Sequence, residues 1–282
     1  MIKIEEIEIL DESFINKIEN FASPERFQFY FFFNAVNMVN YGHTSFYDCF
    51  ILKNGKTTKI IGLFIDFNYY LYGKDWTQEE LKIVRDRIDF KSFPNEFHFV
   101  GTYELINQLF EKTDIKTNDF KNRIFYKITD KIKPSNTLLI LYPTLTDLDE
   151  LAQLCMEAHR EEYKELSVRP LEDFINTARN QISKSSIVIN KNGAEITGFC
   201  TAMYVESDEP MIGTLYVREK YRNKGIGKSL LNYLTSELMT KAKACYLMTE
   251  RDNKSANKVM ESIGFNNIYE HLDKTITAPK NM

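Results

Sequence analysis

No stretch of the chain approaches the roughly 18 consecutive apolar residues of a membrane-spanning helix, so no membrane segment is expected. The opening Met-Ile-Lys-Ile-Glu-Glu alternates apolar and charged residues and lacks the apolar block of a secretory signal. Positive charge is not in surplus: 36 Lys and Arg face 40 Asp and Glu, a net −4 over 282 residues. That leaves no basic face for nucleic acid. Cysteine is scarce too. Cys49, Cys155, Cys200 and Cys245 each sit in an apolar stretch, and no two form a C-x-x-C pair. Free thiols buried in a reducing cytoplasm are expected, with no metal site. A cytoplasmic protein of one large or two ordinary domains, monomer or homodimer, is expected.

One segment carries chemistry. Arg222-Asn223-Lys224-Gly225-Ile226-Gly227 lies between an apolar strand, Met211 to Val217, and a helix starting near Gly225. Ile226, Leu230, Leu231, Leu234 and Leu238 give that helix one apolar face at the 3.6-residue period. Two glycines at the entrance let the backbone curl and approach a ligand without a Cβ in the way. The unpaired N–H groups of the first turn converge where the helix dipole favours an anion. Arg222, Lys224 and Lys228 add positive charge. The pattern predicts a pyrophosphate site. A Walker A loop would need glycine where Arg222 stands, and a dinucleotide fingerprint would need it at Leu230.

What remains is R-x-x-G-x-G. Downstream come a second strand, Ala244 to Glu250, and then Asn253, Ala256, Gly264 and Phe265 in an N-x-x-A, helix, G-F arrangement. In these residues the chain resembles the GNAT superfamily of acyl-CoA-dependent N-acyltransferases. The resemblance extends over about residues 137–275. A polar seam with a proline near 131–137 precedes it. Leu138 to Tyr142 reads as a strand, Thr146 to Leu166 and Leu171 to Ile182 as helices. Ser186 to Ile189 and Glu195 to Val205 read as a hairpin over Asn192-Gly193. The superfamily uses this order.

The first half is read more coarsely. Ser23-Pro24 is expected to start an aromatic-rich helix running to Asn40. Phe46 to Leu52 and Thr58 to Phe67 flank Asn54-Gly55 as a second hairpin. Asn68 to Gly73 is a Tyr-rich strand, and Glu96 to Val100, Gly101 and a helix from Thr102 to Lys112 repeat the strand–glycine–helix order without the arginine and second glycine. Together with Ile212-Gly213-Thr214-Leu215-Tyr216, this is similar to a bacterial two-part group of predicted acetyltransferases. The expected fold is α/β (α+β): a C-terminal GNAT-like mixed sheet with helices on both faces at 137–282, preceded by a degenerate GNAT-like α/β half at 1–134.

The resemblance implies direct transfer of an acyl group, acetyl being expected, from acyl-CoA to a primary amine of a small molecule or amino acid. It assigns acetyl-CoA as cosubstrate, with no metal. Leu215, Tyr216 and Val217 would hold the pantetheine arm. Arg222, Asn223, Lys224, Gly225, Ile226, Gly227, Lys228 and Ser229 would hold the pyrophosphate, joined by Asn253 and Ser255. The tyrosine that many members place five residues before the phenylalanine of G-F is Met260 here, which has no proton to give. Tyr216, Tyr246 and Tyr269 stay open as substitutes, Glu162, Glu206 and Glu250 as bases, and His159 as an acid–base residue. No catalytic residue is selected. A non-catalytic acyl-CoA sensor is the alternative.

Overall fold

The computed structural model describes residues 1–134, 138–163, 168–204 and 209–277. Two compact units emerge. The first holds Met1–Phe125, Glu250–Asp252 and the chain from Ile268 on, and the second holds Tyr126–Thr249 and Asn253–Asn267. The division therefore departs from the expected boundary. Tyr126 to Pro134 joins the second unit, and the last strand joins the first.

In chain order the first half forms β1 (Ile2–Glu6), α1 (Glu12–Ala22), α2 (Tyr30–Asn40), β2 (Phe46–Asn54), β3 (Thr57–Ile65), β4 (Asn68–Gly73), α3 (Gln78–Arg87), β5 (His98–Thr102), α4 (Tyr103–Phe110) and β6 (Thr117–Ile128). The second forms β7 (Ile140–Leu141), α5 (Leu148–Tyr163), α6 (Leu171–Ser183), β8 (Ile187–Asn192), β9 (Glu195–Tyr204), β10 (Pro210–Val217), α7 (Ile226–Leu238), β11 (Cys245–Glu250), α8 (Lys254–Ile263) and β12 (Asn266–Ile276). Each half runs strand, two helices, three strands, helix, strand, helix, strand. The expected C-terminal ends of the first helix and the second hairpin strand, 164–166 and Val205, lie outside the described residues.

The helix expected from Ser23-Pro24 to Asn40 starts later, at Tyr30, and a further helix, α1, precedes the proline. Asp11 caps α1, its Oδ1 accepting the Phe14 N–H at 2.9 Å. Phe14, Ile18 and Ala22, four apart, bury its inner face. A residue preceding proline is disfavoured in a helix, so α1 stops at Ala22. A short 3-10 turn, Arg26–Phe29, then leads into α2.

In the first unit the sheet order is β1-β2-β3-β4-β5-β12-β6. β4 and β5 run parallel, and β12 lies antiparallel to β5, from His271 opposite Thr102 to Thr275 opposite His98. Neighbouring strand residues point to opposite faces, so Ile60 and Ile61 of β3 serve two cores. One gathers α3 and α4, the other α1 and α2. In the second unit the order is β7-β8-β9-β10-β11. Leu151, Leu154, Phe174 and Ala178 of α5 and α6 pack there on Ile187, Ile189, Ile196 and Phe199. All four cysteines are free. Burial pushes the Cys155 and Cys245 thiols up to about 12, so neither is a reactive thiolate near neutral pH.

Candidate functional site

The site is built on β10, whose two edges differ. Toward β9 it pairs from Pro210 to Val217, with one irregularity: Ile212 faces Ala202 but Leu215 faces Cys200. The extra residue is a bulge. Thr201 fills it, its Oγ1 accepting the Thr214 N–H at 2.8 Å. Gly213 makes this possible, because a Cβ there would lie 2.7 Å from Thr201 Oγ1. Toward β11 the parallel strand pairs only at Met211 opposite Tyr246. Beyond that point the two strands part, and the C-terminal half of β10 has an unpaired edge.

Which groups face that edge follows from alternation along the strand. Arg218 donates its N–H to the Thr197 carbonyl. The Tyr216 carbonyl also faces β9, where a Cβ on Gly198 would lie 2.6 Å from it. Leu215 and Val217 therefore turn their backbone groups to the open edge. Tyr216 differs from the role the resemblance implies: its backbone is tied into β9, and only its ring is available to a ligand.

After β10 the chain enters the glycine turn. Asn223 and Gly225 both take positive φ, 62° and 78°. Gly225 is the N-cap of α7, and no side chain caps that helix. The first intrahelical bond of the turn runs from Ser229 N–H to the Gly225 carbonyl at 3.0 Å. The N–H groups of Ile226, Gly227 and Lys228 precede it and have no acceptor within the helix. Gly225 is needed for its backbone conformation, since a Cβ there would meet nothing within 4 Å. Gly227 is different. Its Cβ would make ordinary contacts, 3.6 Å from Val217 Cγ2 and 3.9 Å from Leu215 Cδ2. A larger side chain would occupy the space in front of the open edge of β10. Lys224 and Lys228 are exposed beside the turn, and Ser229 is buried beneath it.

Arg222 acts as a brace. Its Nε donates to the Val217 carbonyl at 2.9 Å and its Nη2 to Glu161 at 2.6 Å. The guanidinium lies 5.6 Å from the centre of the Tyr216 ring. It thus ties the turn to the end of β10 and to α5. Glu195 steadies the intervening segment. Hydrogen bonds from Lys220, Tyr221 and Arg218 hold its exposed carboxylate at about 2. Asn253 caps α8, its Oδ1 accepting the Ala256 N–H at 3.0 Å, which leaves the amide nitrogen as a donor. Ser255 is exposed on the first turn of α8.

The candidate acids and bases scatter. Met260 is buried on α8. Burial pushes the half-buried Tyr216 phenol up, with Glu161 and Glu157 adding to it. Tyr246 is buried on β11. Tyr269 and Glu250 belong to the first unit. The Tyr269 hydroxyl donates to Thr102 at 3.0 Å, and Glu250 pairs with Lys121 at 3.0 Å. Glu206 lies outside the described residues.

His159 and Glu162 do come together. Both line a cavity of about 220 Å³ shared by α5, α6, β9 and β10. Cys155, Ala158, Tyr163, Arg169, Phe174, Thr177, Gln181 and Phe199 complete its walls with Thr201 and Thr214, which meet at the bulge. The cavity thus abuts the irregularity in β10. Of its residues the sequence reading named only His159, Glu162 and Thr214 in a functional context. Gln181 gives no signal as a lone polar residue on an amphipathic helix. Gly213 signals the bulge only once its closeness to Thr201 is known. Among the described residues, no group of three or more His, Cys, Asp or Glu is placed to hold a metal. None of the helices described is long and apolar enough to cross a membrane.

The model of the acetyltransferase (GNAT) family matches residues 148–265, a span that runs from the start of α5 to the G-F pair. Several solved structures share the fold. An acetyltransferase of the GNAT family from Colwellia psychrerythraea is 14% identical over 98% of this chain and 100% of its own, with a TM-score of 0.62. A GCN5-related N-acetyltransferase from Sphaerobacter thermophilus is 13% identical over 82% and 81%, with a TM-score of 0.57. A tandem GNAT protein from the clavulanic acid biosynthesis pathway is 9% identical over the full length of both chains, with a TM-score of 0.51. No curated protein matches the chain in sequence.

Proposed function

We propose that this chain transfers an acetyl group from acetyl-CoA to a primary amine of a small molecule or amino acid, a reading supported by the match of residues 148–265 to the model of the acetyltransferase (GNAT) family. The observation that carries the reading is the conjunction on β10 of an unpaired edge and, directly after it, an uncapped helix entered through glycine. The N–H groups of Ile226, Gly227 and Lys228 suit a pyrophosphate, and Lys224 and Lys228 add charge around it. The backbone of Leu215 and the N–H of Val217, whose carbonyl Arg222 already holds, suit the pantetheine arm. Acetyl-CoA supplies a thioester that a neutral amine can attack, with the thiolate leaving.

The chain's own contribution is chiefly positioning. A backbone N–H aimed where charge develops is worth about 3 kcal/mol of barrier, and alignment of two reactants can contribute about 7 kcal/mol or more. With Met260 in place of a hydroxyl, α8 offers no acid at that position. A thiol that ionises near ~8.5 leaves without much help close to neutral pH. We place the protein in the cytoplasm, as a monomer or homodimer.

The second reading is a non-catalytic acyl-CoA sensor, and the same buried Met260 favours it. Release of free CoA from acetyl-CoA, followed across a panel of small primary amines with the product weighed by mass spectrometry, separates the two. Turnover with at least one amine is expected. Tight CoA binding with no acetylated product across the panel would favour the sensor.

A further inference from the structure

The backbone of the glycine turn is anchored at its two ends. Asn223, Lys224 and Gly225 are exposed, and no backbone carbonyl among the described residues accepts their N–H groups. At the exit stands the first bond of α7, from Ser229 to Gly225. At the entrance stands Arg222, whose N–H reaches the Glu219 carbonyl at 3.1 Å and whose Nε reaches the Val217 carbonyl at 2.9 Å.

That entrance anchor depends on another element. A guanidinium is planar, and its N–H groups leave in fixed directions. Aiming Nε at Val217 therefore calls for a hold on the far side of the fork. Glu161 of α5 supplies it, accepting Nη2 at 2.6 Å. The Tyr216 ring lies 5.6 Å from the same guanidinium and packs in turn on the core under α5 and α6. The Arg222 side chain is 37% exposed and that of Glu161 54%. An exposed pair of this kind adds little to stability, so stability and binding measurements report on it differently.

We infer that Glu161 is a positioning residue for the coenzyme. Acting through Arg222, it holds the entrance of the turn so that the N–H groups of Ile226, Gly227 and Lys228 converge on the pyrophosphate. It touches neither acetyl-CoA nor the reacting atoms. This rests on the reading of the same turn as an acetyl-CoA site. Charge alone predicts the opposite sign. A carboxylate beside the turn repels a pyrophosphate, so its removal on charge grounds would tighten binding, whereas removal of a positioning group weakens it.

Calorimetric titration of acetyl-CoA into the full chain and its variants tests this. Glu161→Ala should weaken binding about 5- to 30-fold, the scale on which a residue without ligand contact changes affinity. Its thermal unfolding midpoint should stay close to that of the wild type. Glu161→Gln keeps an acceptor for Nη2 but loses the charge, and should fall between the two. Glu161→Ala added to Arg222→Ala should cost nothing further, because the carboxylate has no other route to the turn. Equal or tighter binding by Glu161→Ala would overturn the inference and leave the coenzyme site standing. So would a double variant whose losses add. A wild type that binds no acetyl-CoA would sink the proposed function, and this inference with it.

Discussion

Both units place a strand and then a helix in the same order, β4 before α3 in the first and β10 before α7 in the second. Their helix N-termini differ in what they hold. In α3 a reciprocal cap closes the end: Thr77 Oγ1 accepts the Glu80 N–H at 3.2 Å, and Glu80 Oε2 accepts the Thr77 N–H at 2.6 Å. Burial pushes the Glu80 carboxyl up, but hydrogen bonds from Thr77 and Asn54 outweigh it and hold it below the usual range. An internal anion thus occupies the helix end that α7 leaves bare behind Gly225. The strands differ in parallel. β4 pairs with β5 through four consecutive residues, Asn68 to Leu71, and a Cβ on Gly101 would lie only 1.7 Å from the Leu71 carbonyl oxygen. β10 meets β11 at one pair. β3 and β4 pair without a bulge, whereas β9 and β10 have one. On the proposed function, one topology would then be open or shut to a coenzyme through three local features: the cap, the spread of two strands and the bulge.

The largest effect expected from this comparison comes from filling the open site. Gly227→Val should fold, because the added Cβ meets only ordinary contacts, yet its branches enter the space before Leu215 and Val217. Two charge-assisted hydrogen bonds to the pyrophosphate, at about 1.5–3 kcal/mol each, would be lost. Acetyl-CoA affinity measured by calorimetry should fall by at least ~100-fold. A folded Gly227→Val with unchanged affinity would show that α7 does not hold the coenzyme.

A second effect reads the filled interior of the first unit. His271 on β12 is fully buried, with its Nε2 3.1 Å from the Tyr72 hydroxyl. Its ring stacks on Phe125 at 5.6 Å. Burial, and then the charge of Arg123, hold its imidazole well below the ordinary value. It is therefore neutral when folded and takes up a proton on unfolding below about pH 6.5. The unfolded state binds more protons in that range, so stability falls as pH falls. The slope grows through pH 6.5 toward about 1.4 kcal/mol per pH unit below it. Urea unfolding should therefore show a loss of about 1.4 kcal/mol in all between pH 7.5 and 5.5, above the main carboxylate range, and His271→Phe should remove it. A slope that persists in His271→Phe would assign the effect elsewhere.

The smallest effect concerns the closed helix end. Thr77→Ala removes one half of the cap and should cost about 1 kcal/mol of stability, read from the urea midpoint. It should create no new coenzyme site, because β4 and β5 remain zipped. A second equivalent of bound CoA in Thr77→Ala would mean that the cap alone keeps the first unit closed.

How much of this was legible in the sequence depends on whether the signal is local. The turn from Arg222 to Gly227, the helix it opens and the hairpin at Asn192-Gly193 are local patterns, and each stands where the reading put it. α1 and α3 were equally local, in Asp11 with Phe14, Ile18 and Ala22, and in Thr77 with Glu80. Neither is among the expected elements, because Pro24 and the aromatic run after it make the stronger local pattern there. The partner of β12 was not legible. Strand pairing is a long-range choice, and nothing in residues 266–276 says that they lie beside β5. The parting of β10 and β11 leaves no mark in either strand's own residues, and only the resemblance, which sets the backbone of Leu215, Tyr216 and Val217 against the pantetheine arm, implies it. The cavity needs four separate elements to exist, so its lining is assembled only in three dimensions.

On the proposed function, the second unit is open to the coenzyme and the first is shut. Isothermal titration of acetyl-CoA into the intact wild-type chain counts the sites directly. One equivalent bound per chain is the predicted result. Two equivalents per chain would contradict it, since the first unit would then be open as well.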